Sequence, residues 1–372
     1  MTPESEIRLG MDISYIRLNN AGLGAYVREL KTALENINKS IDIAFFEVGQ
    51  DRDNLLQKKI QTRFNTLYRD LIWLNFILPF CAKRKKIEVL HMPVFYAPLI
   101  KPCHIVLTIH DMIWFDHPEF FPVWQRHFMK AFVPLAAKRS DAIIAVSAST
   151  KNDIVEKLGI SPNKIYVTHL GISDQFRIIE KSEVQKVKSK YNIDKYILVV
   201  GSVEPRKNLE RILEAFLQIR RKNSDLILVH VGSGMWKSES IFKEVERLGL
   251  VDSIRFLWNL PQKDLAAIYN GALFLVFPSL YEGFGLPVIE AMACGCPVIT
   301  SNISSLPEVS GDAAILVDPY DISQITEAMK SFLFDSSFRK EYSEKGIARA
   351  REFSWEKCAR LTLEIYHKVN MK

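Results

Sequence analysis

Short apolar runs rich in β-branched residues recur along the chain, each followed by a longer stretch whose apolar positions repeat at helical spacing. That alternation predicts parallel β-sheets with helical crossovers, because a strand buried on both faces reads as a continuous apolar run. The predicted strands of the first half are 7–13, 41–48, 89–91, 105–109, 142–146 and 165–168. Those of the second half are 196–200, 226–231, 254–257, 273–277, 297–300 and 314–317. Between the two sets, residues 171–193 are polar and lysine-rich, and the strand rhythm lapses. The pattern predicts an α/β protein of two doubly wound domains, 1–175 and 176–350, with a hinge near Gly171. Past Pro319 the chain reads as helix, with Ser354 a candidate cap for a closing segment, 351–372, that returns towards the first domain.

Length and composition agree with this division. A chain of 372 residues is too long for one comfortable core, and 48% hydrophobic with 25% charged residues is the balance of a globular protein. The net charge of +6 is small beside 49 basic and 43 acidic residues, so it makes no case for a nucleic-acid partner. Clustering is more informative. Lys83, Arg84, Lys85 and Lys86 follow the apolar stretch 71–80, and Lys58, Lys59, Arg63 and Arg69 precede it. The stretch is far short of the roughly 20 residues that span a bilayer, and residues 1–9 lack the apolar centre of a signal peptide. A cytoplasmic protein is expected. Residues 71–80 read either as a buried helix with solvated ends or as an apolar patch for the surface of an anionic membrane. The five cysteines, Cys81, Cys103, Cys294, Cys296 and Cys358, have no zinc-type spacing and are expected to be reduced and structural.

Ligands of open α/β sheets bind beyond the carboxyl ends of the strands, and the informative residues fall there. After the first strand, Asn19-Asn20-Ala21-Gly22-Leu23-Gly24 opens a helix, where glycines admit a close ligand and free N–H groups attract an anion. The alternative is a plain strand-to-helix turn, and Val27 stands where a dinucleotide fingerprint wants a small residue. His110-Asp111 follows the strand at 105–109; His110 is placed to donate a hydrogen bond or accept a proton. A metal set with Asp116 and His117 matches no familiar spacing. Gly201-Ser202-Val203-Glu204-Pro205-Arg206-Lys207-Asn208 offers a guanidinium and an ammonium to a diphosphate leaving group. The fourth block, Pro278 to Gly295, ends a strand and carries Glu282 in a glycine-rich loop, and Pro287 then begins a helix with Glu290 in its first turn. Two carboxylates flanking exposed N–H groups suit a ligand with several hydroxyls and a diphosphate. As a glycosidase pair they would need to lie about 5–5.5 Å apart, whereas eight helical residues rise about 12 Å. Asp51-Arg52-Asp53 has a metal-binding form without a supporting motif and reads as solvated loop, and Ser147 and Ser149 read as helix caps.

These blocks together resemble the retaining glycosyltransferases of family four, with the GT-B architecture of two facing Rossmann-like domains and a cleft between them. The Glu-x7-Glu pattern, Glu282 to Glu290, and Glu-Pro-Arg-Lys-Asn at Glu204–Asn208 carry the resemblance; the Gly22/Gly24 loop, His110-Asp111 and Val231-Gly232-Ser233-Gly234 extend it. It implies that Arg206 and Lys207 hold the donor diphosphate and that Glu290 holds the ribose hydroxyls. Glu282 and the backbone of Gly283, Phe284, Gly285 and Leu286 would meet the sugar hydroxyls and phosphate. His110 would touch the transferred sugar. Gly22 and Gly24 would approach phosphates or acceptor, Gly201 and Ser202 the donor, and Trp258 to Leu260 the base. Trp258 departs from the glycine common there. The implied mechanism is front-face substitution through an oxocarbenium-like state, with no bound metal and no cofactor.

Within the family the look is that of bacterial mannosyltransferases of O-antigen and related surface polysaccharides. It implies a GDP-mannose donor and a glycan or polyprenyl-linked acceptor. The rival classes are a sugar-nucleotide epimerase on the same architecture, against which the Glu282–Glu290 block argues, and a non-catalytic sugar-nucleotide sensor.

Overall fold

The computed structural model describes residues 7–18, 22–37, 42–48, 68–221, 223–232 and 238–371. The chain divides into two compact units, Met1–Gly171 with Trp355–Lys372, and Ile172–Ser354.

All twelve expected strands are present, and every pairing between them is parallel. The first unit contains β1 (Leu9–Asp12), β2 (Ile43–Phe46), β3 (Val89–Met92), β4 (His104–Ile109), β5 (Ala142–Ala145) and β6 (Ile165–Val167), in the order β2-β1-β3-β4-β5-β6. The second contains β7 (Tyr196–Val200), β8 (Ile227–Gly232), β9 (Ile254–Trp258), β10 (Leu275–Phe277), β11 (Val298–Ser301) and β12 (Ala314–Val317), in the order β12-β11-β10-β7-β8-β9. Each sheet therefore has one place where the winding reverses: between β1 and β3 in the first unit, and between β7 and β10 in the second. At such a reversal the loops leave neighbouring strands in opposite directions and open a crevice for a ligand.

The central strands are apolar for a physical reason. Every residue of β7 is buried, with helices covering the sheet, so nothing polar is tolerated between Tyr196 and Val200. Helix Leu209–Arg220 presents Leu209, Ile212, Leu213, Ala215, Phe216 and Ile219 to that core, a spacing that keeps one face inward. In the first unit, helix Gly22–Ile37 buries Tyr26, Val27, Leu30 and Leu34, and the last helix, Trp355–Asn370, packs against it.

Residues 71–80 do form helix, a wide π-type segment over Tyr68–Ile77 running into α-helix Leu78–Arg84. The stretch is neither wholly buried nor wholly exposed. Trp73, Leu74 and Leu78 are buried, while Ile72, Phe76 and Phe80 face outward, Phe76 at 63% exposure. Of the basic residues that precede it, Lys58, Lys59 and Arg63 lie outside the described residues, as do Asp51 and Asp53. All five cysteines are free thiols. Ser147 caps helix Ala148–Leu158 by accepting from the Thr150 N–H. Ser149, expected as a second cap, lies inside that helix, whose start leaves room for one cap only.

Candidate active site

The winding reversal of the second unit is where its charged residues meet. The loop leaving β7 turns through Gly201, whose φ of +140° and close packing admit no side chain: a Cβ there would stand 2.9 Å from Lys207 Cε. A 3-10 turn, Pro205–Lys207, follows, and Asn208 closes it in the left-handed region at φ 61°. Asn208 Nδ2 donates to the carbonyls of Pro278 (3.0 Å) and Pro319 (2.6 Å), tying the β7 loop to the loop leaving β10. The Leu280 N–H donates to Arg206 O at 2.8 Å and completes the tie.

Across that junction Glu282 receives two cations. Arg206 Nη1 lies 2.6 Å from Glu282 Oε2 and Lys207 Nζ 2.6 Å from Glu282 Oε1. Burial opposes ionisation of Glu282, but Arg206 and then Lys207 overcome it and hold the carboxyl down at about 2. Glu204 holds the other face of Arg206, and Ser202 Oγ donates to Glu204 Oε1 at 2.9 Å, so Ser202 belongs to the support of Arg206. Lys207 Nζ also sits 4.4 Å from the centre of the Phe277 ring. Burial, reinforced by Arg206, lowers the pKa of Lys207, while Glu282 opposes the fall.

The glycine-rich loop is held from behind by two serines. Ser304 Oγ donates to Glu282 O at 2.5 Å, and Ser305 Oγ donates to Glu282 O and Phe284 O, each at 2.9 Å. Phe284 itself is buried, its ring edge-on to Phe353 at 5.7 Å, so its side chain belongs to the core. Gly285 takes φ +105° as the residue before helix Leu286–Ala293, where a Cβ would meet Leu306 Cδ2 at 2.7 Å. Glu290 is the fifth residue of that helix and therefore starts its second turn, because the helix begins at Leu286, one residue ahead of Pro287. It accepts a hydrogen bond from Tyr269 OH at 3.0 Å, and desolvation raises its carboxyl to about 7. At β9's end Asn259 turns left-handed at φ 52° and its N–H reaches Gly232 O, which places Trp258, Asn259 and Leu260 beside the end of β8.

The remaining expected residues are in the first unit. Gly22, at φ 35° and exposed, is the first residue of helix Gly22–Ile37, with Gly24 buried behind it. His110 follows β4, and its Nε2 lies 2.9 Å from Pro93 O. A carbonyl only accepts, so Nε2 carries the proton. Burial lowers the imidazole to about 4, so His110 is neutral at physiological pH with Nδ1 as its lone-pair nitrogen. A buried neutral imidazole is a weak base, and its Nδ1 can accept a hydrogen bond. Asp116 pairs with Lys157 and His117 Nδ1 contacts Glu119 at 3.1 Å, so neither turns towards a common ion with His110.

Sequence reasoning missed Tyr269, Ser304 and Ser305. The serines had a legible signal, since they follow β11 at a carboxyl end. Tyr269, inside helix Gln262–Gly271, had none.

Residues 21–176 match the family described as Glycosyltransferase Family 4 and residues 180–349 the one described as Glycosyl transferases group 1. O-antigen chain mannosyltransferase B of Escherichia coli is 35% identical over 283 residues, covering 75% of this chain and 74% of that protein. The serotype-specific mannosyltransferase WbdA of Escherichia coli is 32% identical over 274 residues, 71% of this chain but 33% of WbdA, so the chain spans about a third of that relative. Sucrose-phosphate synthase of Thermosynechococcus elongatus superposes with a TM-score of 0.79 at 19% identity, covering 98% of this chain and 99% of that one. HepE of Anabaena, in complex with UDP and glucose, superposes at 0.74 with 15% identity, covering 97% and 100%. At those identities the likeness concerns the fold, which is GT-B.

Two Rossmann-like units of this topology, each matched by a glycosyltransferase family model, make the chain a glycosyltransferase of the GT-B class. The similarity to the Escherichia coli mannosyltransferase goes further: the chain belongs to glycosyltransferase family four. That membership sets aside the epimerase and the sensor.

Proposed function

We propose that the chain transfers mannose from GDP-mannose, with retention, onto a glycan or polyprenyl-linked acceptor in the building of a bacterial surface polysaccharide. The observation that carries the reading is the convergence of Arg206 and Lys207 on Glu282 beside the start of helix Leu286–Ala293. Two fixed cations beside a helix start suit a departing nucleoside diphosphate, and they take the part a divalent metal plays elsewhere. In this reading no metal or cofactor is required. Arg206 and Lys207 hold the diphosphate and Glu290 the ribose hydroxyls. Glu282 and the backbone of Gly283, Phe284, Gly285 and Leu286 meet the sugar and phosphate, with Gly201 and Ser202 shaping the loop beneath. Trp258 to Leu260 line the base. From the first unit, His110 offers Nδ1 to a sugar hydroxyl, and Gly22 and Gly24 open a helix towards phosphate or acceptor. The mannosyltransferase names of the relatives support the sugar, and the UDP and glucose held by HepE support the nucleotide-sugar class of donor. The protein works at the cytoplasmic face of an anionic membrane, which the outward row Ile72, Phe76 and Phe80 beside Lys83 to Lys86 supports.

A thermal-shift series with GDP, UDP, ADP, GDP-mannose and UDP-glucose tests this, because a ligand that binds only the folded state raises its melting temperature. GDP and GDP-mannose are expected to stabilise most, and the gain is expected to vanish in Arg206→Ala and shrink in Glu290→Ala. Stabilisation by uridine nucleotides alone would replace the donor; none by any nucleotide would end the site assignment.

A further inference from the structure

The first unit buries a line of polar side chains that the donor chemistry does not use. Tyr366 OH, on the last helix, lies 2.6 Å from His91 Nδ1 on β3. His91 Nε2 lies 2.8 Å from Thr108 Oγ1 on β4, and Thr108 Oγ1 lies 3.2 Å from Tyr26 OH on helix Gly22–Ile37. Tyr26, His91, Thr108 and Tyr366 are each at most 2% exposed. The ring of Tyr26 then stands edge-on to the His110 imidazole, with centroids 4.6 Å apart and planes at 83°. Phe95 also lies edge-on to the imidazole, at 6.0 Å and 70°.

Proton accounting makes this line a single unit. Burial lowers His91 to about 3, so its imidazole is neutral and has one N–H and one lone pair. Burial also raises both tyrosines far above their ordinary range, so each keeps its proton. The links are coupled through His91 and Thr108. Where Thr108 donates to His91, His91 donates to Tyr366 and Tyr26 has to donate to Thr108; where Tyr366 donates to His91 and His91 to Thr108, the Thr108 oxygen can still accept from Tyr26 or donate to it. A break anywhere leaves a buried polar atom unpartnered, which is costly, so the line holds its members in place as a set.

Such an arrangement is more than core filling. Phenylalanine would pack as well as Tyr26 or Tyr366 at lower cost, and valine as well as Thr108. What the hydroxyls add is direction. Tyr26 is fixed at its far end by Thr108, and its ring is then a wall that sets the imidazole plane. Pro93 O fixes the proton on Nε2, and Thr150 Oγ1 donates to the His110 carbonyl at 3.3 Å. Ring plane, tautomer and backbone are each held by a different neighbour.

We propose that Tyr26, anchored through Thr108 and His91 to Tyr366 of the last helix, is a positioning residue that fixes the His110 imidazole for sugar contact. The proposal rests on the assignment of His110 to the transferred sugar. It gives the last helix, remote in sequence from every site motif, a direct part in the geometry of that histidine.

The test combines spectroscopy with a mutant cycle. In histidine-labelled protein, long-range proton–nitrogen spectra should show wild-type His110 as a single neutral tautomer protonated at Nε2 from pH 5.5 to 8. Tyr26→Phe, Thr108→Val and Tyr366→Phe keep the volume and remove one polar atom each. Each is expected to broaden the His110 signals or add the second tautomer, with the fold intact by circular dichroism. With GDP-mannose as the donor and GDP release as the readout, Tyr26→Phe should lower kcat roughly tenfold with little change in KM, as small misplacements do. In the His110→Ala background the same change should have no further effect on kcat, because coupled residues are not additive. A wild-type His110 spectrum in all three variants, or an undiminished effect of Tyr26→Phe without His110, overturns the proposal. If His110→Ala itself leaves kcat unchanged, the sugar-contact assignment falls; a spectrum that still responds to Tyr26→Phe would then leave the anchoring alone standing.

Discussion

Lys207 Nζ and Glu282 Oε1 meet at 2.6 Å although 75 residues separate them in the chain. The contact exists because β7 and β10 are neighbours at the winding reversal, so the loops that leave them open side by side. A buried ion pair of this kind is weak support for stability, since both charges lose water. In the proposed function its value lies in holding two cations ready for a diphosphate.

Removing the carboxylate exposes that balance. In Glu282→Ala, Arg206 and Lys207 are left as two buried cations without their common partner. The expected loss is about 3–5 kcal/mol of unfolding free energy, with transfer falling by about 100-fold or more. The pH dependence has a definite sign. The Glu282 carboxyl sits at about 2 in the folded protein against an ordinary 4.5, so its contribution is full above 4.5 and is lost as pH falls towards 2. Urea unfolding between pH 2 and 6 checks it: a wild-type acid slope no steeper than that of Glu282→Gln would contradict the pair.

Glu290 predicts the opposite slope. Its carboxyl is raised to about 7, so between 4.5 and 7 the folded protein keeps a proton that the unfolded chain has released, and stability falls as pH rises through that window. Glu290→Gln is expected to flatten that fall. Ribose hydroxyls donate best to an ionised carboxylate, so nucleotide affinity should rise from pH 6 to 8 more steeply in wild type than in Glu290→Gln, where only the ionisation of the terminal phosphate contributes. Calorimetric titration with GDP at several pH values decides it; a parallel rise in the variant would remove Glu290 from the ribose.

Much of this was legible in the residues themselves. Tyr196 to Val200 reads as a strand because it is an unbroken apolar run with three β-branched residues, and in the fold all five are buried. Arg206, Lys207 and Glu282 could be read as site residues because each follows such a strand. Other features leave no trace along the chain. Tyr269 looks like any core aromatic, and its bond to Glu290 depends on how helix Gln262–Gly271 lies against helix Leu286–Ala293. Tyr366 and His91 stand 275 positions apart, and no local pattern announces their contact. The turn of Glu290 within its helix is not fixed by Pro287, because proline fits the second helical position as well as the first, and here the helix begins at Leu286.

Gly285 should be intolerant of any side chain. Alanine there faces both a left-handed φ of +105° and a Cβ contact of 2.7 Å with Leu306 Cδ2. Strain of that kind costs on the order of 1–3 kcal/mol, and relief would tilt the start of helix Leu286–Ala293. Gly285→Ala is expected to lower the melting temperature and weaken GDP binding together. Unchanged binding in a folded variant would mean that the helix start does not touch the nucleotide.

If protein cations do the work of a metal, transfer from GDP-mannose should persist in excess chelator. The measurement is the initial rate with and without EDTA after exhaustive dialysis. Loss of activity that magnesium or manganese restores would bring Asp51 and Asp53 back as ligands.

The final prediction concerns the outward face of residues 72–80. Ile72, Phe76 and Phe80 recur every fourth residue and are 46%, 63% and 65% exposed, while Trp73, Leu74 and Leu78 between them are buried. Leu99 N–H donates to Asn75 Oδ1 at 2.9 Å, which brings Leu99 and Ile100, also exposed, beside this row. Lys83, Arg84, Lys85 and Lys86 follow at its end, all exposed. No described helix is long and apolar enough to cross a membrane. Each basic residue near an anionic leaflet contributes roughly 1 kcal/mol, and the aromatic side chains add burial of their own. The charge contribution is screened by salt and the apolar one is not. Co-sedimentation should therefore show binding to vesicles containing phosphatidylglycerol at low salt and weaker binding to phosphatidylcholine alone. The triple variant Lys83→Glu, Arg84→Glu and Lys85→Glu should lose the preference for anionic lipid, and Phe76→Ser with Phe80→Ser should lose the part that survives high salt. A wild-type protein that stays in the supernatant with anionic vesicles at low salt would count against the membrane and in favour of a soluble acceptor.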